Sequence, residues 1–172
     1  SKSIILAIGN KIGDFGIKGE KEYLGKGVSY CPTCDGHFFK DKKVAILGDE
    51  PELSSSIDYL KNLASEVILI DEPVIELLGD EVLRKVKTAS KEIEVSAIFI
   101  VKSNSPSINL VKKLSLKLNN GFIEVDENQE TSLKGVYAVG DCVSKKVRQI
   151  VNASSEGMIA ATSLTKSLNQ EK

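Results

Sequence analysis

Val44-Ala45-Ile46-Leu47-Gly48-Asp49-Glu50-Pro51-Glu52-Leu53, followed after one helical stretch by Val67-Ile68-Leu69-Ile70-Asp71, decides the fold class. Each apolar run is short, β-branched and free of alternation, as in a strand buried on both faces. Pro51 suits the first turn of a helix, with Asp49 or Glu50 as its cap. Leu53, Ile57, Leu60 and Ala64 then recur at helical spacing. The result is a β–α–β unit, because two parallel strands need a crossover of this kind. The expected class is therefore α/β.

Outward from that unit the pattern changes. After Pro73, the runs Val74–Leu78, Val82–Thr88 and Ile93–Val101 are separated by Gly79-Asp80 and Ala89-Ser90-Lys91, which predicts an antiparallel meander. Upstream, Ile4–Ile8 reads as a strand ending at Gly9, and residues 9–27 as a long glycine-spaced connection. Downstream, Ile108–Leu116 has helical spacing, Phe122–Val125 and Val136–Val139 read as strands, and Val147–Leu168 reads as a helix with small residues. No repeat or low-complexity segment occurs.

Composition narrows the function. Among 172 residues, 41% are hydrophobic and 27% charged, as in a soluble globular chain. A net charge of −1 gives no footprint for nucleic acid and no polybasic membrane anchor. No apolar run approaches the roughly 20 residues of a membrane span. Ser1–Gly9 has no small-residue cleavage site, so it does not read as a signal peptide and a cytoplasmic location is expected.

The sharpest chemical signal is Val28-Ser29-Tyr30-Cys31-Pro32-Thr33-Cys34-Asp35-Gly36. Two cysteines three apart can close a small disulfide ring, one thiol attacking and the other resolving the mixed disulfide. Asp35, directly after Cys34, could pass a proton to the departing thiolate. Two other readings stay open. The cysteines could be reduced structural thiols, or half of a zinc site completed by His37 and Cys142. No second cysteine knuckle accompanies them, so no metal site is assigned. His37, the only histidine, also reads as a turn residue bonded to backbone, and Cys142 as a small buried residue.

The segment Gly27–Gly36 resembles the redox-active segment of the low-molecular-weight thioredoxin reductases, within the pyridine nucleotide-disulfide oxidoreductases. Ile4–Gly9 is similar to that family's strand closing the first flavin segment, with Ile8 in place of a threonine. Gly16-Ile17-Lys18-Gly19-Glu20 is similar to the connection that follows. Glu130-Thr131-Ser132, Gly135–Asp141 and Arg148-Gln149 resemble the C-terminal flavin-binding segment. The resemblance runs colinearly through nearly the whole chain.

It implies a truncated Rossmann-like nicotinamide-type domain with an antiparallel meander over residues 23–103, carrying the cysteines. A partial FAD-type domain remnant over residues 1–22 and 104–172 completes the chain. It also implies that Cys31 meets the protein substrate, Cys34 faces the flavin side and Asp35 moves protons. Gly140, Asp141, Arg148 and Gln149 would touch FAD. The family's N-terminal FAD-binding segment, with its Gly-x-Gly-x-x-Gly, and part of its NADPH domain are missing, so FAD would be held weakly by these contacts alone. The family's nucleotide glycines fall on Gly48, Glu50 and Leu53, and the basic run for a 2′-phosphate is replaced by Asp71-Glu72-Pro73. NADPH is therefore not expected, although Asp71 could bind a ribose hydroxyl of NADH.

The function so implied is thiol–disulfide exchange at Cys31 and Cys34 with a thioredoxin- or glutaredoxin-like protein. The alternatives are a subunit, or half of a split reductase, that docks on an FAD-bearing chain, and a degenerate structural remnant. Apolar residues left on the C-terminal helix lead us to expect a homodimer or a partner chain.

Overall fold

The computed structural model describes residues 2–10, 15–50, 52–102, 111 and 113–170. Contacts divide the chain into two compact units, Ser1–Lys11 with Asn104–Lys172, and Ile12–Ser103.

The Ile12–Ser103 unit is built on a four-stranded parallel sheet in the order β2-β8-β3-β4. These strands are β2 (Val28–Ser29), β3 (Lys43–Gly48), β4 (Glu66–Leu69) and β8 (Ala97–Val101). The helix α2 (Glu52–Lys61) makes the crossover from β3 to β4, and Ala45 pairs with Ile68 on one side and Ile98 on the other. Alternation along the strands sorts the side chains into two layers. Val44, Ile46, Ala97 and Phe99 face α2, where they pack with buried Leu60 and with Leu53 and Ile57. Ala45, Leu47, Ile98 and Ile100 pack on the opposite side with Leu77, Leu83 and Val86. Those three come from a second sheet, antiparallel, of β5 (Val74–Gly79), β6 (Leu83–Thr88) and β7 (Glu92–Glu94).

One expectation needs correction here. The stretch Ile93–Val101 is not one strand of the meander. It bends at Val95-Ser96, where the Val95 N–H donates to Arg84 O (2.9 Å) and the Ser96 N–H to Lys43 O (2.8 Å). Glu92–Glu94 therefore pairs with β6, while Ala97–Val101 enters the centre of the parallel sheet. Residues 15–22 group by their contacts with the Ile12–Ser103 unit. There the Leu77 N–H donates to Lys18 O (2.8 Å) and Lys18 Nζ meets the Glu76 carboxylate at 2.5 Å. Strand β2 was also not foreseen, because two residues carry no readable period.

The other unit holds a parallel pair, β1 (Ile4–Leu6) with β11 (Val136–Ala138), and a hairpin, β9 (Leu118–Asn119) with β10 (Phe122–Ile123). The hairpin turns through Asn120-Gly121, both at positive φ, as a two-residue turn of this kind demands. Leu6, Val111, Leu116, Ile123, Ala138, Cys142 and Val143 form its core. The long helix α3 (Ile150–Gln170) buries Ala160 against Tyr137 and Val139. Ile150, Val151 and Met158 on the same helix are 86%, 72% and 66% exposed. The helix expected over Ile108–Leu116 lies partly outside the described residues, with helical backbone at Val111 and Lys113 within them. Among the described residues no helix is long and apolar enough to cross a membrane.

Candidate functional site

The cysteine motif sits just past the C-terminal end of β2. Pro32 fits the first position of a helix because it has no N–H to satisfy. The short helix α1 (Pro32–Asp35) follows, with Cys31 as its N-terminal flank, and runs into a 3-10 turn over Gly36–Phe39. One turn of helix brings residues three apart together, and Cys31 and Cys34 are joined by a disulfide with Cα atoms 5.2 Å apart. Cys31 is half-buried and Cys34 exposed, so both sulfurs can be reached. Thr33 Oγ1 lies 3.5 Å from Cys31 Sγ.

Asp35 belongs to the same arrangement. Its Oδ2 accepts a hydrogen bond from Ser29 Oγ at 2.6 Å, and Ser29 Oγ in turn accepts the Cys31 N–H at 3.1 Å. Behind Cys31, the Tyr30 hydroxyl donates to Glu20 Oε1 at 2.7 Å. The buried Glu20 carboxylate also accepts the Phe15 N–H at 2.9 Å, so the loop that precedes the motif is tied to it. Sequence reasoning passed over Ser29 and Glu20. The only available signal was the position of Ser29 two residues before Cys31, since β2 is too short to be read as a strand.

His37 does not join the sulfurs. Its ring lies edge-on to Tyr59, 6.3 Å between centroids, and its carbonyl accepts the Lys40 N–H. Cys142 lies in the other unit, fully buried, its thiol directed at the Val139 and Leu6 carbonyls at 3.2 and 3.6 Å. Among the described residues no three His, Cys, Asp or Glu side chains are grouped to hold a metal ion.

At the C-terminal ends of β3 and β8 a cleft of about 490 Å³ is lined by Gly48, Asp49, Asp71, Glu72 and Lys102, among others. This is the switch point of the sheet, where α/β proteins hold nucleotides. Gly48 is required by packing, since a Cβ there would stand 1.9 Å from Val101 O. Glu50 caps α2, accepting from Ser54 Oγ at 2.6 Å, so a carboxylate occupies the helix start. Leu53 is spent on the helix–sheet core. Glu72 is held below the usual carboxylate range, chiefly by the Ser90 hydroxyl.

The other set of candidates lies in the β1–β11 unit. Gly140 adopts φ +75°, open only to glycine without strain, and an added Cβ would meet nothing closer than Ala153 Cβ at 3.7 Å. Its N–H donates to Glu156 Oε2 at 2.7 Å, and Lys145 ion-pairs with the same carboxylate. Asp141 follows in a 3-10 turn over Gly140–Cys142. Arg148 lies with its guanidinium carbon 3.9 Å from the Phe122 ring centroid, a cation–π contact. The Gln149 carbonyl accepts the Asn152 and Ala153 N–H groups, so α3 begins at Ile150, later than the expected Val147. Arg148 Nε, Asn10 Oδ1 and Gln129 Oε1 are buried without a hydrogen-bond partner. Buried polar atoms are nearly always satisfied, so a donor and acceptors of this unit await a polar group. Orphaned buried polar atoms in this unit and a glycine at 140 with open space around it are compatible with a cofactor such as FAD. The fold thus gathers Cys31, Cys34 and Asp35 in one unit, and Gly140, Asp141, Arg148 and Gln149 in the other.

A family profile described as pyridine nucleotide-disulphide oxidoreductase matches residues 59–157, more than half of the chain. The chain belongs to that family. Its relatives include the thioredoxin reductase of Mycoplasma genitalium, 34% identical across 93% of this chain and 61% of that protein. Thioredoxin reductase from Streptococcus pyogenes superposes with a TM-score of 0.87 at 27% identity, covering 98% of this chain and 66% of that one. A ferredoxin-flavin thioredoxin reductase from Clostridium acetobutylicum is 33% identical, with a TM-score of 0.55, covering 98% and 63%. The chain therefore spans about three fifths of the length of the curated relatives it matches.

Proposed function

We propose that this chain carries the dithiol–disulfide centre of a thioredoxin-reductase-like flavoprotein, exchanging electrons with a small redox protein of thioredoxin or glutaredoxin type. The observation that carries the reading is the reachable Cys31–Cys34 disulfide, with Asp35 next in sequence and its carboxyl held by the Ser29 hydroxyl. In the reduced state Cys31 attacks the partner's disulfide, and the first partner sulfur leaves and takes a proton. Cys34 then attacks Cys31, the second partner sulfur leaves, and the Cys31–Cys34 bond re-forms. Two electrons and two protons have passed to the partner. Asp35 shuttles the proton at Cys34 Sγ. FAD, when bound, would supply the electrons that reopen the disulfide, with Gly140, Asp141, Arg148 and Gln149 holding it.

NADPH fits poorly as the electron source. Glu50 stands at the helix start where a pyrophosphate would rest. Two like charges about 4 Å apart cost on the order of 4 kcal/mol at an effective dielectric near 20. Asp71 would repel a 2′-phosphate. One relative is named for ferredoxin and flavin, which favours a protein or flavin donor here too.

Thiol counting tests the centre. Oxidised protein should show one free thiol after unfolding, and protein treated with dithiothreitol three. Three free thiols under oxidant would remove the redox reading. Calorimetric titration of NADPH and NADH, with Glu50→Gly alongside, tests the nucleotide claim, which micromolar NADPH binding by the unaltered chain would refute.

A further inference from the structure

Ser29 is 4% exposed and lies in β2, pairing with Phe99 of the central strand β8. A hydroxyl has one hydrogen to give and lone pairs to accept with, and here both are used on the redox motif. The hydrogen goes to Asp35 Oδ2 (2.6 Å), and the oxygen accepts the Cys31 N–H (3.1 Å). Among the described residues no other hydrogen bond reaches the Asp35 carboxyl, and α1, which carries Asp35, is a single turn.

We propose that Ser29 is a positioning residue for the exchange at Cys31 and Cys34, fixing the Asp35 carboxyl to the sheet so that its other oxygen, Oδ1, can move a proton to and from Cys34. The proposal rests on the dithiol chemistry proposed above. The step it serves is the opening of the disulfide by a dithiol. One thiolate of the reagent attacks Cys31 Sγ, a sulfur–sulfur bond forms there, and the Cys31–Cys34 bond breaks. Its electron pair leaves on Cys34 Sγ, which takes a proton from Asp35. The reagent's second thiolate then displaces Cys31, leaving the reagent oxidised and both cysteines reduced. The Cys31 N–H held by the same hydroxyl keeps the attacked residue in register with the acid that protonates its leaving group.

Dithiothreitol is the probe, and the readout is the rate of disulfide opening, by acid quench, alkylation and mass, across pH 5.5 to 9. Ser29→Ala should slow opening about tenfold near neutral pH, a part of what general acid–base help supplies. Its pH dependence should become that of Asp35→Asn, and Ser29→Thr should restore the rate. The double variant Ser29→Ala/Asp35→Asn should be no slower than Asp35→Asn, because the serine acts only through the aspartate. A Ser29→Ala rate within twofold of the unaltered chain overturns the proposal, and so does a double variant slowed by both factors. Lowered thermal stability with an unchanged pH dependence also overturns it, leaving only a satisfied buried hydroxyl. A cysteine pair that will not close or reopen at all would instead defeat the dithiol reading, and this proposal with it.

Discussion

Cysteine reactivity in this chain is divided by environment. Cys31 and Cys34 are reachable, while Cys142 is sealed in a core with Leu6 and Ala138. Burial, above all, pushes the Cys142 thiol above its ordinary value, because the thiolate would lose its hydration. The thiol therefore stays protonated and unreactive through neutral pH. A disulfide reagent should leave Cys142 untouched in native protein at pH 8 and modify it on addition of urea. Fast labelling in the native state would show that the core opens. A second residue-scale case is the Lys18–Glu76 pair. Glu76 is held below its ordinary value of 4.5, first by the Lys18 hydrogen bond, with its burial opposing. A depressed carboxyl stabilises the fold above the unfolded-state value and loses that contribution as pH falls through the folded one. Lys18 is 77% exposed, so salt screens the pair. The stability gap between the unaltered chain and Glu76→Gln should close in acid below pH 4 and shrink at 1 M salt. A gap unchanged by either would exclude the ion pair as its origin.

Packing of α2 on the parallel sheet dominates at the scale of the elements. Phe99 is fully buried between β3 and the helix, its ring 5.9 Å from Phe39 and edge-on to it. Phe99→Ala should cost about 3–5 kcal/mol, the transfer loss plus a cavity that cannot collapse between a sheet and a helix. Phe38, one position from Phe39, is 74% exposed on the 3-10 turn after the cysteines, and Phe38→Ala should leave stability within about 0.5 kcal/mol. Urea denaturation of both variants measures the contrast, and equal losses would contradict the layer assignment. The two strands β7 and β8 show why element type was readable when partnership was not. Glu92-Ile93-Glu94 alternates like a half-exposed antiparallel strand, and Ala97–Val101 is apolar throughout like a buried parallel one. The change of pattern at Val95-Ser96 was in the sequence, but no glycine or proline marked it.

Across the whole molecule, the described apolar surface is uneven. Ile150, Val151 and Met158 on α3 are the large apolar residues exposed on one helix, with Ile4 and Ile5 on β1 also exposed in that unit and Leu24, Phe38, Leu69, Ile75 and Val82 in the other. The expected consequence is association. Light scattering across a tenfold dilution should report a concentration-dependent mass, lowered by Ile150→Ser with Met158→Ser. A monomer at every concentration that also binds no hydrophobic dye would rule this out.

The β–α–β unit followed from sequence alone, because unbroken apolar runs around a helical period admit few other arrangements. The cysteine spacing allowed a ring that one helical turn closes, and the fold closes it. Glu50 and Leu53 raised, from residue type alone, the expectation of a poor phosphate cradle that nucleotide titration tests. Which residues bond to the cysteine motif was decided only in three dimensions. Ser29 reaches Asp35, and Glu20 reaches Tyr30, because β2 is pinned to β8 and the loop over residues 15–22 folds back on β5. Those pairings join segments far apart in the chain, and hydrogen-bond geometry between distant segments leaves no period for a sequence to display.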